Sequence, residues 1–187
     1  MQLVECVPNV SEGRNQATIT ALAREITTVP QVELLHLDKG HAANRTVLTC
    51  VGEPAALGEA MFRLIAKAVE VIDMRRHRGI HPRLGAVDVV PFVPLKNSSM
   101  EMCVGLAQAL GQRISRELRL PVYLYADAAA TPQRRLLPDI RRGEFEGLAT
   151  KMREPSWKPD YGPSVPHPTA GVCVWCQAIF DCLQCPS

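Results

Sequence analysis

The alternation of extended and helical segments along the chain is the feature that most restricts its fold. Six segments follow one another: extended at residues 2–9, helical at 15–28, extended at 32–38 and 45–51, helical at 54–72 and extended at 87–94. This β-α-β-β-α-β order is typical of a ferredoxin-like fold. It predicts an α+β two-layer sandwich with its helices on one sheet face. The other face then needs a second domain or a partner chain to cover it.

Further α and β elements extend this core. Helical spacing over residues 103–118 predicts another long helix, and Ser98-x-x-Glu101 is the pattern of a capping box at its start. A strand, short helical pieces and an irregular proline-rich loop are predicted at residues 121–125, 132–149 and 154–171. The predicted architecture is therefore the six-segment core with these elements added.

Two residue patterns predict the surroundings of individual elements. Pro91 and Pro94 indicate that the sixth segment lies at a sheet edge or a bulge, because proline donates no hydrogen bond to a ladder. The basic dipeptides Arg134-Arg135 and Arg141-Arg142 are typical of a solvated helix face. We therefore expect a sheet edge or a bulge for the strand and exposure for the four arginines.

The composition excludes several classes of protein. Of 187 residues, 47% are hydrophobic and 21% charged, which excludes a disordered chain and predicts one domain or two small ones. No apolar run approaches the roughly 20 residues of a membrane span, and the first six residues lack the start of a signal peptide. A net charge of +2, without interleaved aromatic residues, gives no support to nucleic-acid binding. We expect a cytoplasmic protein with no membrane or nucleic-acid partner.

The seven cysteines fall into two groups. Cys6, Cys50 and Cys103 are scattered among apolar residues, which is typical of reduced, buried thiols. The other four form a C-x2-C-x5-C-x2-C pattern that resembles a zinc site, although the central spacing is shorter than the usual 15–20 residues. These four are Cys173, Cys176, Cys182 and Cys185.

The densest polar segment is residues 73–85, between a predicted helix and a predicted strand. Four arginines and two histidines lie within residues 75–85, and guanidinium groups hold carboxylates well. His81 precedes a proline, which restricts its backbone, and a histidine that titrates near neutrality suits a general base. The alternative is a solvated basic loop that caps a helix C-terminus. The residues alone leave both interpretations open.

Three other loops are candidates on weaker grounds. Asp38, at a predicted strand end, could orient a histidine or accept a proton, or could simply form an Asx turn. Residues 8–14 could bind an anion at a helix N-terminus or be an ordinary helix entry, and they lack the P-loop pattern. Residues 162–171 could cover a ligand or form a linker.

Several long motifs resemble those of one enzyme family. These are VECVPNVSEG at residues 4–13, NRT at 44–46, HRGIHPRLGAVD at 77–88, PVYLY at 121–125 and W-x-PDYGP at 157–163. On these motifs the chain resembles the glutamate formimidoyltransferase family, the folate-dependent transferases of histidine breakdown. The resemblance covers about residues 1–174 and matches the N-terminal subdomain of the family's transferase unit.

The resemblance implies an activity and an assembly. The family moves the formimino group from N-formimino-L-glutamate to N5 of tetrahydrofolate, its co-substrate, and needs no metal. Two subdomains of similar ferredoxin-like topology face each other across a positively lined tunnel, and the intact enzyme tends to be a homodimer. In this chain the C-terminal subdomain is expected to be absent, so that half, or a partner chain, would cover the open sheet face.

The resemblance also implies roles for individual residues. His81 falls on the family's catalytic histidine, the base that removes the N5 proton, and Asp38 falls on the acidic residue that assists it. Asn9, Arg45 and Arg83 lie in the matching motifs, and we assign them to substrate or folate binding. The folate-contacting segment corresponds to Gly162, Pro163, Ser164, Val165, Pro166, His167, Pro168, Thr169, Ala170 and Gly171.

The resemblance ends after residue 174. The family continues as a strand with the pattern G-A-R-x-x-L-I-A, whereas this chain reads WCQAIFDCLQCP at residues 175–186. With synonymous codons chosen for the purpose, the same stretch read one nucleotide later encodes G-A-R-P-F-L-I-A-Y-N-V, which fits the family. We therefore expect residues 1–174 to form the subdomain and residues 175–187 to be an out-of-frame tail. The native strand should then be missing from the sheet, and the terminal cysteines accidental.

Three alternatives remain beside the formimidoyltransferase prediction. A close enzymatic variant would transfer a formyl rather than a formimino group from glutamate. A non-catalytic folate-binding module is the alternative from another class, since half a tunnel could bind folate without turnover. A zinc-binding interaction protein would use the terminal cysteines. The chain by itself could also be inactive although it carries His81.

Overall fold

The computed structural model describes residues 1–126 and 128–177. In this part of the chain, seven strands form one mixed sheet. They are β1 (Val4–Cys6), β2 (Asn9–Val10), β3 (Val32–Gly40), β4 (Arg45–Gly52), β5 (Val87–Pro94), β6 (Val122–Ala126) and β7 (Cys173–Gln177). The described α-helices are α1 (Gln16–Thr27), α2 (Pro54–Val71), α3 (Met100–Glu117), α4 (Leu137–Arg141) and α5 (Glu144–Lys151). The predicted α+β class is confirmed.

The sheet combines an antiparallel half with a parallel half. β3 and β4 form an edge hairpin, β4 pairs with β1 and β2, and these two short strands pair with β5, always antiparallel. β7 then lies parallel between β5 and β6. The first predicted strand is split in two because Val7 and Pro8 interrupt it between β1 and β2.

Local sequence explains where the long helices begin. The Asn15 side chain caps α1 by accepting hydrogen bonds from the backbone N–H groups of Ala17 and Thr18. Pro54 occupies the first turn of α2, where its missing N–H costs nothing. The predicted capping box at α3 is wrong by one residue, because Ser99 accepts the cap hydrogen bond while Ser98 donates to the Leu3 carbonyl.

The helices cover both faces of the sheet, so the predicted single helical layer is wrong. α1, α2 and α3 pack on one face, where β4 contributes Leu48 and Cys50 to the larger core. Residues of α4 and α5, with Met152 after them, pack on the opposite face against β5, β6 and β7. Over β3 and β4 that second face stays partly open, and Val47, Thr49 and Val51 are only half-buried there.

The position of β5 corrects one of two alternatives. Its two prolines predict an edge strand or a bulge; β5 pairs on both sides and is therefore not an edge strand, but its pairing with β2 contains a register shift of the bulge type. Its neighbours on one side are Cys6, opposite Phe92, and Asn9, opposite Val89. Pro91 therefore lies beside the interruption between β1 and β2, where no regular ladder hydrogen bond is required of it.

Strand β7 contradicts the expected loss of the last strand. Cys173–Gln177 pairs with both neighbours, and Trp175 is fully buried with its ring stacked on Phe92 at 5.8 Å between centroids. The Cys173 thiol is also buried, which raises its pKa. The rest of the predicted tail, residues 178–187 with Cys182 and Cys185, lies outside the described residues, as does the Cys176 side chain.

None of the helices in residues 1–126 and 128–177 has the length and apolar character needed to cross a membrane.

Cys6, Cys50 and Cys103 are buried free thiols, as predicted from their apolar neighbours. Burial raises the pKa of the Cys103 thiol, so it stays protonated and behaves as a small apolar residue.

Candidate active site

Several loops meet at one end of the sheet. Val10 lies opposite both Thr46 and Val87, so the entry to α1, the turn before β4 and the loop before β5 are neighbours. Residues 162–171 reach the same end, where Gly171 bridges to Gly85. A small cleft among these loops is lined by Ser11, Ala43, Asn44, Arg45, His77, His81, Arg83 and Asp88.

Two glycines allow the loops to approach this closely. A Cβ atom at Gly79 would lie 2.0 Å from the Ala43 carbonyl oxygen, and one at Gly85 would lie 2.0 Å from the Val172 carbonyl oxygen. Both distances are far below van der Waals contact, so a side chain at either position would separate the loops. The glycines of the H-R-G-I-H-P-R-L-G motif are therefore required for the cleft to form.

His81 is held in its neutral form by burial and by Arg45. An Arg45 guanidinium nitrogen lies 2.6 Å from His81 Nε2. Because a guanidinium only donates hydrogen bonds, Nε2 accepts, and the ring hydrogen is on Nδ1. Burial, reinforced by the charges of Arg45 and Arg141, lowers the pKa of His81. The ring therefore presents a basic nitrogen at neutral pH.

A second histidine, His77, joins two neighbouring loops. Its side chain is buried, and Nε2 lies 2.8 Å from the Asn44 carbonyl oxygen while Nδ1 accepts from Arg83 Nε at 3.3 Å. Burial lowers the pKa of His77, and the Arg83 charge adds to this effect. His77 is therefore neutral with its hydrogen on Nε2, the opposite arrangement to His81.

Arg83 is enclosed by acidic residues at the start of α5. It is 7% exposed, and its terminal nitrogens donate to Glu144 at 2.5 Å and to both oxygens of Glu146 at 2.7 and 2.9 Å. Together with the Nε contact to His77, these bonds use most of its donors. Arg83 thus anchors the His77 loop to α5.

A buried ion pair supports the cleft from below. Asp88, on β5, is 1% exposed and accepts hydrogen bonds from Arg141 at 2.5 and 3.0 Å and from the Leu84 N–H at 2.9 Å. Asp88 and Arg141 also contribute opposing charges near His81. The pair links β5, α4 and the loop that carries His81.

Asn44 shapes the turn that delivers Arg45. Its backbone is left-handed, with φ at +50°, a conformation that asparagine tolerates better than most residues. Its side-chain oxygen accepts from the Gly13 N–H at 3.0 Å, and its side-chain amide donates to the Arg78 carbonyl at 3.1 Å. Arg45 follows at once as the first residue of β4, so its direction depends on this turn.

Comparison with known proteins identifies the fold around this cleft. Residues 3–177 match the model of the formiminotransferase domain, N-terminal subdomain. The chain belongs to the formiminotransferase family. It is 50% identical over 173 residues to the formimidoyltransferase-cyclodeaminase of Mus musculus, covering 92% of this chain and 32% of the relative.

Relatives whose names do not include a cyclodeaminase have nearly the same sequence identity to this chain. Glutamate formimidoyltransferase of Streptococcus pyogenes serotype M1 is 46% identical over 171 residues, which is 91% of this chain and 57% of the relative. Glutamate formimidoyltransferase of Thermoplasma acidophilum is 48% identical over 167 residues, which is 88% of this chain and 55% of the relative. The chain thus spans between a third and somewhat more than half of the relatives it matches.

The remaining residues predicted from the formiminotransferase motifs lie on the partly open sheet face. Asp38, Val47, Asn9 and Val89 form one row across β3, β4, β2 and β5, because paired residues share a face. Arg45, two residues from Val47, shares it too. The Asp38 carboxylate makes no hydrogen bond or ion pair within residues 1–126 and 128–177. The Asn9 amide donates to the Val7 carbonyl.

The predicted folate segment crosses the same end of the sheet. It begins beside Leu120 at Gly162, whose φ of +89° favours glycine, and ends against the loop before β5. There the Ala170 carbonyl accepts from the Ala86 N–H at 2.9 Å, and the Thr169 carbonyl accepts from the Met74 N–H at 2.7 Å. The second half of the segment therefore adjoins the loop that carries His81.

Sequence reasoning missed the residues that support this formiminotransferase cleft. Arg141 and Arg134 were predicted to be solvated, but Arg134 is buried and Arg141 largely buried, each in an ion pair, with Asp160 and Asp88 respectively. His77 stood in the polar motif without an assigned role. The acidic residues Glu144 and Glu146 gave no signal beyond their position at a helix start.

The lowered histidine pKa values predict a pH dependence of stability. The pKa values of His77, His81 and His167 lie below their ordinary value in the folded protein because of burial. Below about pH 6.5 the unfolded chain binds protons that the folded chain does not. The free energy of unfolding therefore decreases as the pH is lowered. The acidic groups with lowered pKa values act only near and below pH 4.5.

We therefore expect the urea midpoint of unfolding to fall as the pH is lowered from about 7.5 to about 5. His77→Gln should reduce this slope because it removes one buried titrating group, whereas substitution of the exposed His36 by Gln should not. A midpoint that rises towards pH 5 would contradict the buried, neutral histidines.

Proposed function

We propose that this chain is the N-terminal part of a transferase that moves the formimino group from N-formimino-L-glutamate to N5 of tetrahydrofolate, in histidine degradation. The observation that carries the proposal is the Arg45–His81 contact, which leaves a neutral imidazole in a cleft rich in guanidinium groups. Family membership and relatives named glutamate formimidoyltransferase support the substrate assignment. Tetrahydrofolate acts here as co-substrate.

The reaction requires one base at the attacking nitrogen. N5 of tetrahydrofolate forms a bond to the amidine carbon, whose C=N π electrons move onto nitrogen to give a tetrahedral intermediate. His81 Nε2 takes the N5 proton and returns a proton to the glutamate nitrogen, and the C–N bond to glutamate then breaks. Glutamate leaves as its amine, and the formimino group remains on N5. Because Nε2 is the nitrogen that contacts Arg45, substrate binding must shift that guanidinium.

Arg45 is suited to that shift. Both substrates carry carboxylates, and an Arg45 guanidinium that turns towards one of them frees the His81 lone pair. Asp38 and Asn9, on the same face, complete the polar surface that we assign to substrate contact. We assign Arg83 to holding the loop instead, because Glu144, Glu146 and His77 already occupy it.

The partly open sheet face fits an enzyme with a second half. We propose that the fold is a ferredoxin-like unit, β3-β4-β1/β2-β5, extended by β7 and β6. The longer relatives contain additional sequence, and we propose that the corresponding subdomain, or a partner chain, covers Asp38 and Arg45. The intact enzyme would be a cytoplasmic homodimer of such units. Half-buried Val47 and Val51 offer the covering half an apolar contact.

Formimino transfer by the purified chain tests the proposal. The chain is mixed with N-formimino-L-glutamate and tetrahydrofolate, alone and with the separately produced remainder of the Streptococcus pyogenes relative, and 5-formiminotetrahydrofolate and glutamate are measured. We expect both products to form in equal amounts when the second half is present. N-formyl-L-glutamate, assayed in parallel, distinguishes the formyltransferase alternative.

Two results would refute the transferase assignment. Tetrahydrofolate binding without either product, in both mixtures, would leave a non-catalytic folate-binding module. If products form from N-formyl-L-glutamate only, the group that the enzyme transfers is formyl and not formimino. Titration of the isotopically labelled chain with tetrahydrofolate reports binding separately, through shifts of backbone signals in residues 162–171.

A further inference from the structure

We propose that His77 is a positioning residue that sets the direction of Arg45 and thereby the protonation pattern of His81. The observations that carry this proposal are three consecutive hydrogen bonds, from Glu146 through Arg83 and His77 to Asn44, which precedes Arg45 in the chain. The proposal rests on the function proposed for His81. It assigns a role in preparing the base to a residue that does not touch the substrate.

The two ring nitrogens of His77 have different hydrogen-bonding roles, one as donor and one as acceptor. Arg83 can only donate, so Nδ1 of His77 accepts, and Nε2 carries the hydrogen that is donated to the Asn44 carbonyl. A charged imidazolium would have to point an N–H group at the Arg83 guanidinium. The contacts therefore hold His77 in a single neutral tautomer.

Arg83 makes this arrangement rigid. Its guanidinium is clamped between Glu144 and Glu146, and bidentate pairing with Glu146 fixes the plane of the group as well as its place. The backbone N–H of Phe145 also donates to the Arg83 carbonyl at 3.0 Å. His77 is thus fixed relative to α5 from one side and bonded to the turn before β4 on the other.

Asn44 connects His77 to Arg45. Three hydrogen bonds, to Gly13, Arg78 and His77, hold the left-handed Asn44 residue through its side chain and its carbonyl. The carbonyl carbon of Asn44 is bonded directly to the Arg45 nitrogen, so the bond from His77 fixes the peptide plane at which Arg45 begins. From there the guanidinium reaches His81 Nε2.

Among the described residues, three charged groups that affect His81 come from different elements. Arg45 approaches from β4, Arg141 from α4 and Asp88 from β5. Asp88 and Arg141 hold each other, so their charges are fixed in place. Arg45 is the member of this set whose placement depends on the Asn44 turn. A change at His77 is therefore transmitted to His81 through Arg45.

Nuclear magnetic resonance of the histidine ring nitrogens in the complete chain tests the proposal directly. Long-range ¹H–¹⁵N correlations distinguish the two neutral tautomers, and a pH titration gives the pKa of each ring. We expect the Nε2–H tautomer for His77 and the Nδ1–H tautomer for His81. The opposite tautomer at His77, or a charged His77 at neutral pH, would overturn the proposal without any variant.

Three variants then isolate the role of His77. His77→Phe keeps the ring volume but removes both bonds, and we expect the pKa of His81 to rise towards its ordinary value with loss of the single tautomer. His77→Gln can donate to the Asn44 carbonyl and accept from Arg83, and should restore the native pattern. Ser99→Ala, which removes the distant cap of α3, controls for general loss of stability.

These measurements need no substrate, so they are independent of the transfer assay. An unchanged His81 in folded His77→Phe would overturn the positioning role even if transfer is observed. An equal change in Ser99→Ala would overturn it as well, since the effect would then be general loosening. Absence of transfer together with the expected His81 changes would refute the proposed function and leave the positioning role standing.

Discussion

Replacement of His81 by alanine is expected to reduce formimino transfer by about 10²- to 10⁴-fold, the usual contribution of a positioned general base. The loss should fall on kcat, because the proton on N5 is removed only as the new C–N bond forms. KM should change little, since Arg45, Asp38 and the 162–171 segment remain. The initial rate of 5-formiminotetrahydrofolate formation, at varied substrate concentrations in the reconstituted enzyme, measures both parameters.

Two variants make this result specific. His81→Gln retains an acceptor for Arg45 but cannot take a proton at neutral pH, so it should be as inactive as His81→Ala. Ser99→Ala, which removes the cap of α3 on the opposite side of the sheet, should transfer at the native rate. If His81→Gln keeps substantial activity, His81 acts as a hydrogen-bond acceptor and not as the base.

Much of the secondary structure could be predicted because it depends on neighbours in the sequence. Apolar residues at helical spacing, with Asn15 as cap and Pro54 in the first turn, place α1 and α2 within a residue or two. The position of β5 in the sheet could not be predicted the same way. Pro91 is tolerated inside the sheet only because Val7 and Pro8, more than 80 residues earlier, interrupt the neighbouring strand.

Strand β7 forms although the sequence predicted its loss. The motifs read from the sequence end at residue 174 and predict a lost strand, yet the family match runs to residue 177 and Trp175 fits between the core residues of β5 and β6. A buried, apolar side chain at the right register is enough to continue the pairing. The strand therefore continues past the last residue of the motifs read from the sequence, because burial and register stabilise its pairing.

The site was predictable where its chemistry lies in one motif. His81 and Gly79 are close in sequence, and a histidine before proline is visible without a structure. The network behind it was not visible, because Arg83 meets Glu144 and Glu146 from 61 and 63 residues away. Arg141 looked like a solvent-exposed arginine for the same reason, since its carboxylate partner Asp88 is 53 residues earlier.

Replacement of Asp88 by alanine is expected to cost about 3–5 kcal/mol of stability, the usual effect of breaking a buried ion pair from one side. Asp88 is 1% exposed, and its loss leaves the Arg141 guanidinium buried without its carboxylate and the Leu84 N–H without an acceptor. Both defects lie beneath the His81 loop. Urea unfolding at neutral pH measures the free energy, provided the slope of the transition stays constant.

Matched variants separate the two defects in Asp88→Ala. Asp88→Asn can still accept from the Leu84 N–H but carries no charge, so its loss of stability should be smaller than that of Asp88→Ala. Removal of both charges in Asp88→Ala/Arg141→Met should recover part of the loss, because no unpaired charge stays buried. Asp73→Ala breaks a surface pair with Arg75 and should have little effect. If Asp88→Ala unfolds at the same urea concentration as Asp73→Ala, the Asp88–Arg141 pair does not support the cleft.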